Sequence, residues 1–486
     1  MNNKFFTRIF TIFAFLLVIG MLFYIGPSLI KAVATAEEVS VLAAEISGTP
    51  SYLPIVRNGS PLPTVFGTES RSIDGKGGLY KMMGAGVYWW RRNGVLWSQV
   101  EATKGTYDWG ALEDLEVELA NAAQNGIQVI LIVRGTPDWA QAIPEIPCGP
   151  IKESELGTFA DFMKALVSRY SLPPYNVKHW EIWNEPDVDH TLLKNPESKP
   201  FGCWGDKDDD YYGGGYYADM LKEVYPAVKE ADPDSQVLVG GLLLDCDPNN
   251  PPSGKDCTPA KFLEGILING GGDYFDGVSY HAYDYYGLDG ICPAGLGVYC
   301  SPNWGSAWNE SGPVSLAKYS YLTELLDQYN IKDKFLLNSE SALLTDQTCD
   351  QDCQTTKAHY LAQAFASAIS LDLKANIWFS VFGWRNSELL ELDDTPLPAY
   401  DAFKFAQEEL KDSEYVREIS DNNQIKIFEF DRGDRRIWLI WSMKSNPTLV
   451  DLPGMPDAVY DALGNPITPS DPLAINWKTY YLEWLP

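Results

Sequence analysis

Two hydrophobic periods alternate along the chain. Val129-Ile130-Leu131-Ile132-Val133 is a continuous apolar run, the mark of a strand buried on both faces. Leu156, Phe159, Met163, Leu166 and Tyr170 recur at spacings of three and four, which puts them on one helix face. The pairing repeats. The pattern predicts strands at 65–67, 87–92, 129–133, 179–182, 237–239, 278–280, 335–337 and 377–381. It predicts helices at 76–85, 109–125, 156–170, 217–231, 260–268, 314–328, 355–370 and 400–410. A (β/α)8 TIM barrel over residues 63–410 explains eight such units economically. A doubly wound open sheet is the alternative. To hold a nucleotide it would need a Gly-rich turn after its first strand, and there is none.

After Lys411 the period changes. Residues 424–430 alternate with period two, and 436–441 and 480–484 are further short strands punctuated by Gly and Pro. Residues 411–486 therefore read as an all-β module, expected to be a C-terminal β-sandwich. Its Trp438 and Trp441 sit in apolar strands, so the module is expected to pack on the barrel without presenting an aromatic binding row.

The N-terminus reads as a targeting segment. Lys4 and Arg8 precede an uncharged stretch from Ile9 to Ile30, and Ala34-Thr35-Ala36 follows. Residues 1–36 are either a cleaved signal peptide or a retained signal anchor, and 37–62 are a spacer. Either way the bulk is exported, extracellular or at the cell surface, and meets a membrane only through this segment. Eight cysteines agree. Cys246/Cys257, Cys292/Cys300 and Cys349/Cys353 are close pairs in loop-like sequence, and Cys148 with Cys203 would join two neighbouring loops. Zinc is disfavoured: there are four His and no His-Glu-x-x-His run. Lys+Arg is 37 against 66 Asp+Glu, a net charge of −29. Such a balance excludes nucleic acid as a partner. Asp206, Asp208, Asp209 and Asp210 read as a solvated loop rather than a calcium site.

Two strand ends present carboxylates in apolar company: Trp180-Glu181-Ile182-Trp183-Asn184-Glu185-Pro186 and Phe335-Leu336-Leu337-Asn338-Ser339-Glu340. Barrels of this kind deliver reacting groups at the C-terminal ends of their strands. If Glu185 and Glu340 share one cavity, they repel and one holds a proton. Such a pair suits glycosidic bond cleavage, with one acid and one nucleophile. A serine hydrolase is the other enzymatic reading, but no Gly-x-Ser-x-Gly elbow is present.

The heptapeptide at 180–186 resembles the Asn-Glu-Pro signature of clan A glycoside hydrolases, retaining barrel enzymes with glutamates after strands four and seven. Trp97, Val100-Glu101, Gly105 and Tyr107-Asp108-Trp109 resemble the clan's second strand and loop, with Ala102 where proline is common. Gly135-Thr136-Pro137-Asp138-Trp139-Ala140, Tyr280-His281-Ala282-Tyr283 and Pro396-Leu397-Pro398-Ala399-Tyr400 resemble later segments, and the chain looks most similar to family 39 and its relatives. The resemblance implies a retaining β-glycoside hydrolase that acts on plant or microbial polysaccharide or oligosaccharide without a cofactor or metal. It implies Glu185 as acid/base, Glu340 as nucleophile and Asn184 as donor to the sugar 2-hydroxyl. Arg92, with neighbouring Arg91 as the other register, would lie beneath the nucleophile. Tyr283 would donate to the nucleophile, His281 would support the site and Trp378 would floor the sugar subsite. The alternative is a barrel that binds carbohydrate and has lost activity.

Overall fold

Eight parallel strands close into a barrel in the computed structural model. They are β1 (Phe66–Glu69), β2 (Trp89–Leu96), β3 (Gln128–Arg134), β4 (His179–Asn184), β5 (Gln236–Leu242), β6 (Gly277–Tyr286), β7 (Phe335–Leu344) and β8 (Asn376–Trp378). Each pairs in parallel with its neighbour, and β8 closes onto β1 through Phe66 beside Asn376. The structure describes residues 64–194, 201–287, 291–292, 298–308, 311–420, 425–444 and 446–486. The targeting segment and spacer lie outside these residues. Among the described residues, no helix is long and apolar enough to cross a membrane.

The strand pleat sorts the core. Successive side chains point to opposite faces, so Trp89, Ile130, Leu238, Leu337 and Ile377 form an apolar plug inside the barrel. Their neighbours Val129, Leu131 and Val133 face outward into the helix layer, with Leu115, Phe159 and Met163. That layer consists of α1 (Leu79–Gly84), α2 (Glu113–Gln124), α3 (Leu156–Tyr170), α4 (Gly214–Ala231), α5 (Phe262–Ile268), α6 (Val314–Gln328), α7 (Gln351–Ser370) and α8 (Pro398–Leu410). The helices follow the expected apolar periodicity. The eighth strand differs: it ends at Trp378, three residues before the predicted end.

The C-terminal module continues the pleat argument. Its six-stranded antiparallel sheet contains β9 (Glu414–Ser420), β10 (Ile425–Asp431), β11 (Arg436–Ser442), β13 (Ala458–Asp461), β14 (Pro466–Ile467) and β16 (Tyr480–Trp484). A second sheet pairs β12 (Thr448–Val450) with β15 (Leu473–Ile475). Register places Phe428 opposite Leu439 and Phe430 opposite Ile437, and this face packs on the barrel's helices. The other face, Ile427 opposite Ile440, packs with Trp438 against Val450, Leu473 and Ile475. Both faces are therefore covered, and Trp438 and Trp441 are core residues. Polar contacts fix the docking. The Thr479 N–H donates to His359 Nδ1 at 3.0 Å, and Gln363 donates to the Thr479 hydroxyl at 3.0 Å. All eight cysteines are paired as Cys148–Cys203, Cys246–Cys257, Cys292–Cys300 and Cys349–Cys353. The acidic run at 206–210 folds onto itself: Asp206 and Asp209 accept backbone N–H groups of Asp208, Tyr211 and Gly213.

One docking contact is pH-dependent. Glu409 on α8 faces Glu483 on β16, with Arg432 and Arg435 beside them. Burial and Glu483 push the Glu409 carboxyl up to about 8, above its ordinary 4.5. The folded protein thus holds a proton that the unfolded chain has lost between these values. Stability from this group is present at low pH and declines as pH rises through that window. Glu409→Gln should reduce the fall in melting temperature between pH 5 and pH 8 by about 1–2 °C, measured by circular dichroism. An unchanged fall would contradict the assignment.

Candidate active site

Above the apolar plug, the next inward positions on β2 and β4 turn polar. On β2 the inward residue after Trp89 is Arg91, which is fully buried. On β4 the inward residue after His179 is Glu181, also fully buried. A buried charge survives only with partners, and Arg91 gathers four. Its Nε donates to both Glu181 oxygens at 3.2 Å, and Nη2 donates to Glu181 Oε1 and to Asn184 Oδ1, each at 2.5 Å. Nη1 donates to Glu69 Oε2 at 2.9 Å and to Glu340 Oε1 at 2.5 Å.

The strand after Glu181 must turn sharply to present Asn184 and Glu185. Trp183 and Glu185 both adopt left-handed backbone, with φ of 66° and 49°. That region is unfavourable for bulky residues and persists only where the surroundings enforce it. They do. The Trp183 indole N–H donates to the Cys148 carbonyl at 3.1 Å, and its ring packs on Phe159 and Trp204. The Cys148–Cys203 bond ties the two flanking loops together. The Glu185 N–H donates to the Gly241 carbonyl at 2.9 Å. A side chain at Gly241 would collide with the His281 ring.

Glu185 and Glu340 meet. One carboxylate oxygen from each and a ring nitrogen of His281 all lie within 4.8 Å of one another. His281 Nδ1 is 2.9 Å from Glu185 Oε1 and 3.5 Å from Glu340 Oε2. The Tyr283 hydroxyl donates to Glu340 Oε2. These three buried groups have the spacing of metal ligands, but the cation beside Glu340 is already supplied by Arg91. Behind them the Lys318 ammonium donates to the carbonyls of Leu243 and His281 at 2.8 and 2.7 Å, which ties the end of β5 to the middle of β6. Burial lowers Lys318 to about 8.

The environments separate the two glutamates. Burial raises Glu185 well above the carboxylate range, and the charges of Glu340 and Asp187 add to that. Burial also raises Glu340, but Arg91 and the Tyr283 hydroxyl pull it back. Burial thus raises both carboxyls, and the Arg91 cation and the Tyr283 hydroxyl favour the charged form of Glu340 over that of Glu185. His281, buried beside Arg91 and Lys318, is held well below its ordinary value and is neutral.

Two expected site residues lie elsewhere. Arg92 points out of the barrel and forms a two-pronged pair with Glu118 on α2, at 2.6 and 2.9 Å. The pleat is the reason: Arg92 is one residue out of phase with Trp89, and Arg91 takes the place beneath Glu340. Trp378 is likewise out of phase with inward Ile377. It is fully buried in the helix layer, donates to the Ser387 carbonyl at 2.8 Å and packs near Tyr360. The aromatic group at the mouth is Phe379, with Tyr283 at 6.4 Å and Trp384 at 6.2 Å between ring centres. Sequence reasoning gave no role to Glu69 or Glu181. Counting by two from Trp89 would have selected Arg91, whereas Glu69 ends a four-residue strand with no pattern to mark it.

No family model and no curated relative matches this sequence. Solved structures do. A family 39 glycoside hydrolase from Bacteroides cellulosilyticus WH2 is 21% identical, with a TM-score of 0.62 over 86% of this chain and 80% of that one. A GH30 endoxylanase from Clostridium papyrosolvens C71 is 10% identical, with a TM-score of 0.57 over 88% and 98%. A GH39 enzyme from Xanthomonas axonopodis pv. citri is 13% identical, with a TM-score of 0.53 over 88% and 95%. At these identities the likeness establishes a shared fold across barrel and sandwich.

The two arginines should behave differently when truncated. Arg91→Met leaves Glu181, Glu69 and Glu340 without their common cation and should destabilise by about 3–5 kcal/mol. Arg92→Met removes one half-buried pair and should cost about 1–2 kcal/mol. Urea denaturation of both variants measures this, and equal losses would overturn the placement of Arg91.

Proposed function

We propose that the chain is a retaining β-glycoside hydrolase that cleaves O-glycosidic bonds of polysaccharide or oligosaccharide by double displacement. One observation carries the reading: Glu185 and Glu340 face each other at one mouth with oxygens within 4.8 Å, and only Glu340 is paired with a cation. Retaining enzymes hold their carboxyl groups about 5–5.5 Å apart, and inverting enzymes leave about 6.5–9.5 Å for a water. The spacing supports the retaining class.

The chemistry follows from the proton's position. Glu340 attacks the anomeric carbon while the bond to the leaving oxygen breaks, and Glu185 gives that oxygen its proton. The sugar is then joined to Glu340 through an ester, and Glu185 is a carboxylate. Glu185 next takes a proton from water, the oxygen of which attacks the same carbon and expels Glu340. Two inversions give net retention. Arg91 and Tyr283 keep Glu340 ionised for attack and stabilise it as a leaving group. Asn184, oriented by Arg91 Nη2, is the donor to the 2-hydroxyl. His281, neutral and against Glu185, fixes the acid's rotamer.

The neighbours' substrates support a polysaccharide or its fragments: one is a xylanase and another holds neoagarooctaose. Four disulfides and a neighbour described as a conserved exported protein support export by the N-terminal segment. The segments at 187–215 and 283–313, which follow Glu185 and His281 in the chain, would set the sugar and linkage. The intact pair of glutamates speaks against an inactive binding barrel.

Glu340→Ala should abolish turnover of every substrate. Glu185→Ala should spare the first step with 4-nitrophenyl leaving groups, which need no proton, and added azide should restore the second step as a β-glycosyl azide. Proton NMR of the first-formed product reads the stereochemistry, and an inverted anomer would sink the retaining assignment.

A further inference from the structure

Glu69 stands at the C-terminal end of β1, and nothing in the reaction above employs it. Its carboxyl shares a single nitrogen, Arg91 Nη1, with the Glu340 carboxylate. Glu181 and Asn184 occupy the other nitrogens of the same guanidinium. Glu181 has no solvent exposure at all, whereas the Glu69 side chain is 12% exposed and that of Glu340 is 11% exposed. Glu69 therefore opens onto the same cavity as the nucleophile. Its Oε2 is taken by Arg91, and among the described residues no protein donor meets its Oε1. The position is rigid: the Glu69 carbonyl accepts the Val381 N–H at 3.0 Å, and the Thr68 hydroxyl donates to the Trp378 carbonyl at 3.2 Å.

We propose that Glu69 is a substrate-binding residue that reads one hydroxyl of the glycone other than the 2-hydroxyl. The inference rests on the glycosidase reading of the same site. Asn184 is held by Nη2 and Glu69 by Nη1, so the two flank Arg91 on different sides. With the anomeric carbon at Glu340 and the 2-hydroxyl at Asn184, Oε1 of Glu69 faces a position further round the ring. The titratable groups facing Glu69 are Arg91 on β2, Glu181 on β4, Tyr283 on β6 and Glu340 on β7. One cation cannot neutralise three carboxylates, and burial with Glu340 nearby pushes Glu69 up to about 8. At neutral pH it is a carboxylic acid, with one O–H to give and one oxygen to receive. An alcohol offers the complementary pair. A uronate carboxylate would bring a fourth acid against the same guanidinium, so the ligand class is a neutral hydroxylated sugar.

The test begins with a panel of 4-nitrophenyl β-glycosides of neutral sugars to find one that the wild-type protein cleaves. Its 3-deoxy, 4-deoxy and, for hexosides, 6-deoxy analogues are then assayed with wild type, Glu69→Ala and Glu69→Gln. A site built to bond a substrate hydroxyl rejects an analogue that lacks it, because its own polar group is left unpaired. On the parent, Glu69→Ala should lower kcat/KM by about 10²-fold. On one deoxy analogue the further loss should shrink to less than about 3-fold, while on the others it stays near that of the parent. Glu69→Gln keeps a donor and an acceptor and should recover part of the loss; it also serves where the alanine variant fails to fold. A loss of equal size on every analogue, or no loss, overturns the inference while leaving the glycosidase reading intact. A wild type that cleaves no glycoside in the panel overturns that reading and this one together.

Discussion

A single guanidinium, that of Arg91, is the cation shared by the three carboxylates that converge at the barrel mouth. It lies on the inward face of β2 and touches Glu181, Glu69, Glu340 and Asn184, which come from three other strands. Without it, three acids would share one cavity in a low-dielectric interior, where ionisation is costly. With it, the strands have one relative register at their C-terminal ends. The same ion pair that permits the buried charges also aims them.

The support around this centre is apolar and covalent. The plug of Trp89, Ile130, Leu238, Leu337 and Ile377 closes the barrel beneath Arg91. Trp183, held in left-handed backbone, is locked by Phe159, Trp204 and the Cys148 carbonyl. The Cys148–Cys203 bond joins the loops on either side of it. Glycine at 241 leaves room for the His281 ring. Each device restricts how far Glu185 can drift from Glu340, and a misplacement of about 1 Å can cost about 10²-fold in rate.

Two chemically identical side chains thus sit in different electrostatic environments from position alone. Glu340 has Arg91 and Tyr283. Glu185 has a neutral imidazole and two nearby acids. Burial raises both carboxyls, and the difference comes from the Arg91 cation and the Tyr283 hydroxyl beside Glu340. Such a division of acid and base is how one pocket can perform both steps of a displacement near neutral pH.

The sequence by itself determined the alternation of strand and helix, the change of period after Lys411, the pairing of close cysteines and the heptapeptide ending in Glu185-Pro186. Each is local: a hydrophobic period, a spacing or a short motif is complete within one element. Which of Arg91 and Arg92 enters the barrel was decided by phase relative to Trp89, and Trp378 was excluded from the mouth in the same way by inward Ile377. Both are set by which face of each strand meets the closed barrel's interior. Glu69 and Glu181 gained their roles only from the closure of β1 and β4 around β2, 22 and 90 residues from Arg91 in the chain. Contacts between distant strands leave no period in the sequence, so the ring of acids around Arg91 became visible only in the tertiary structure.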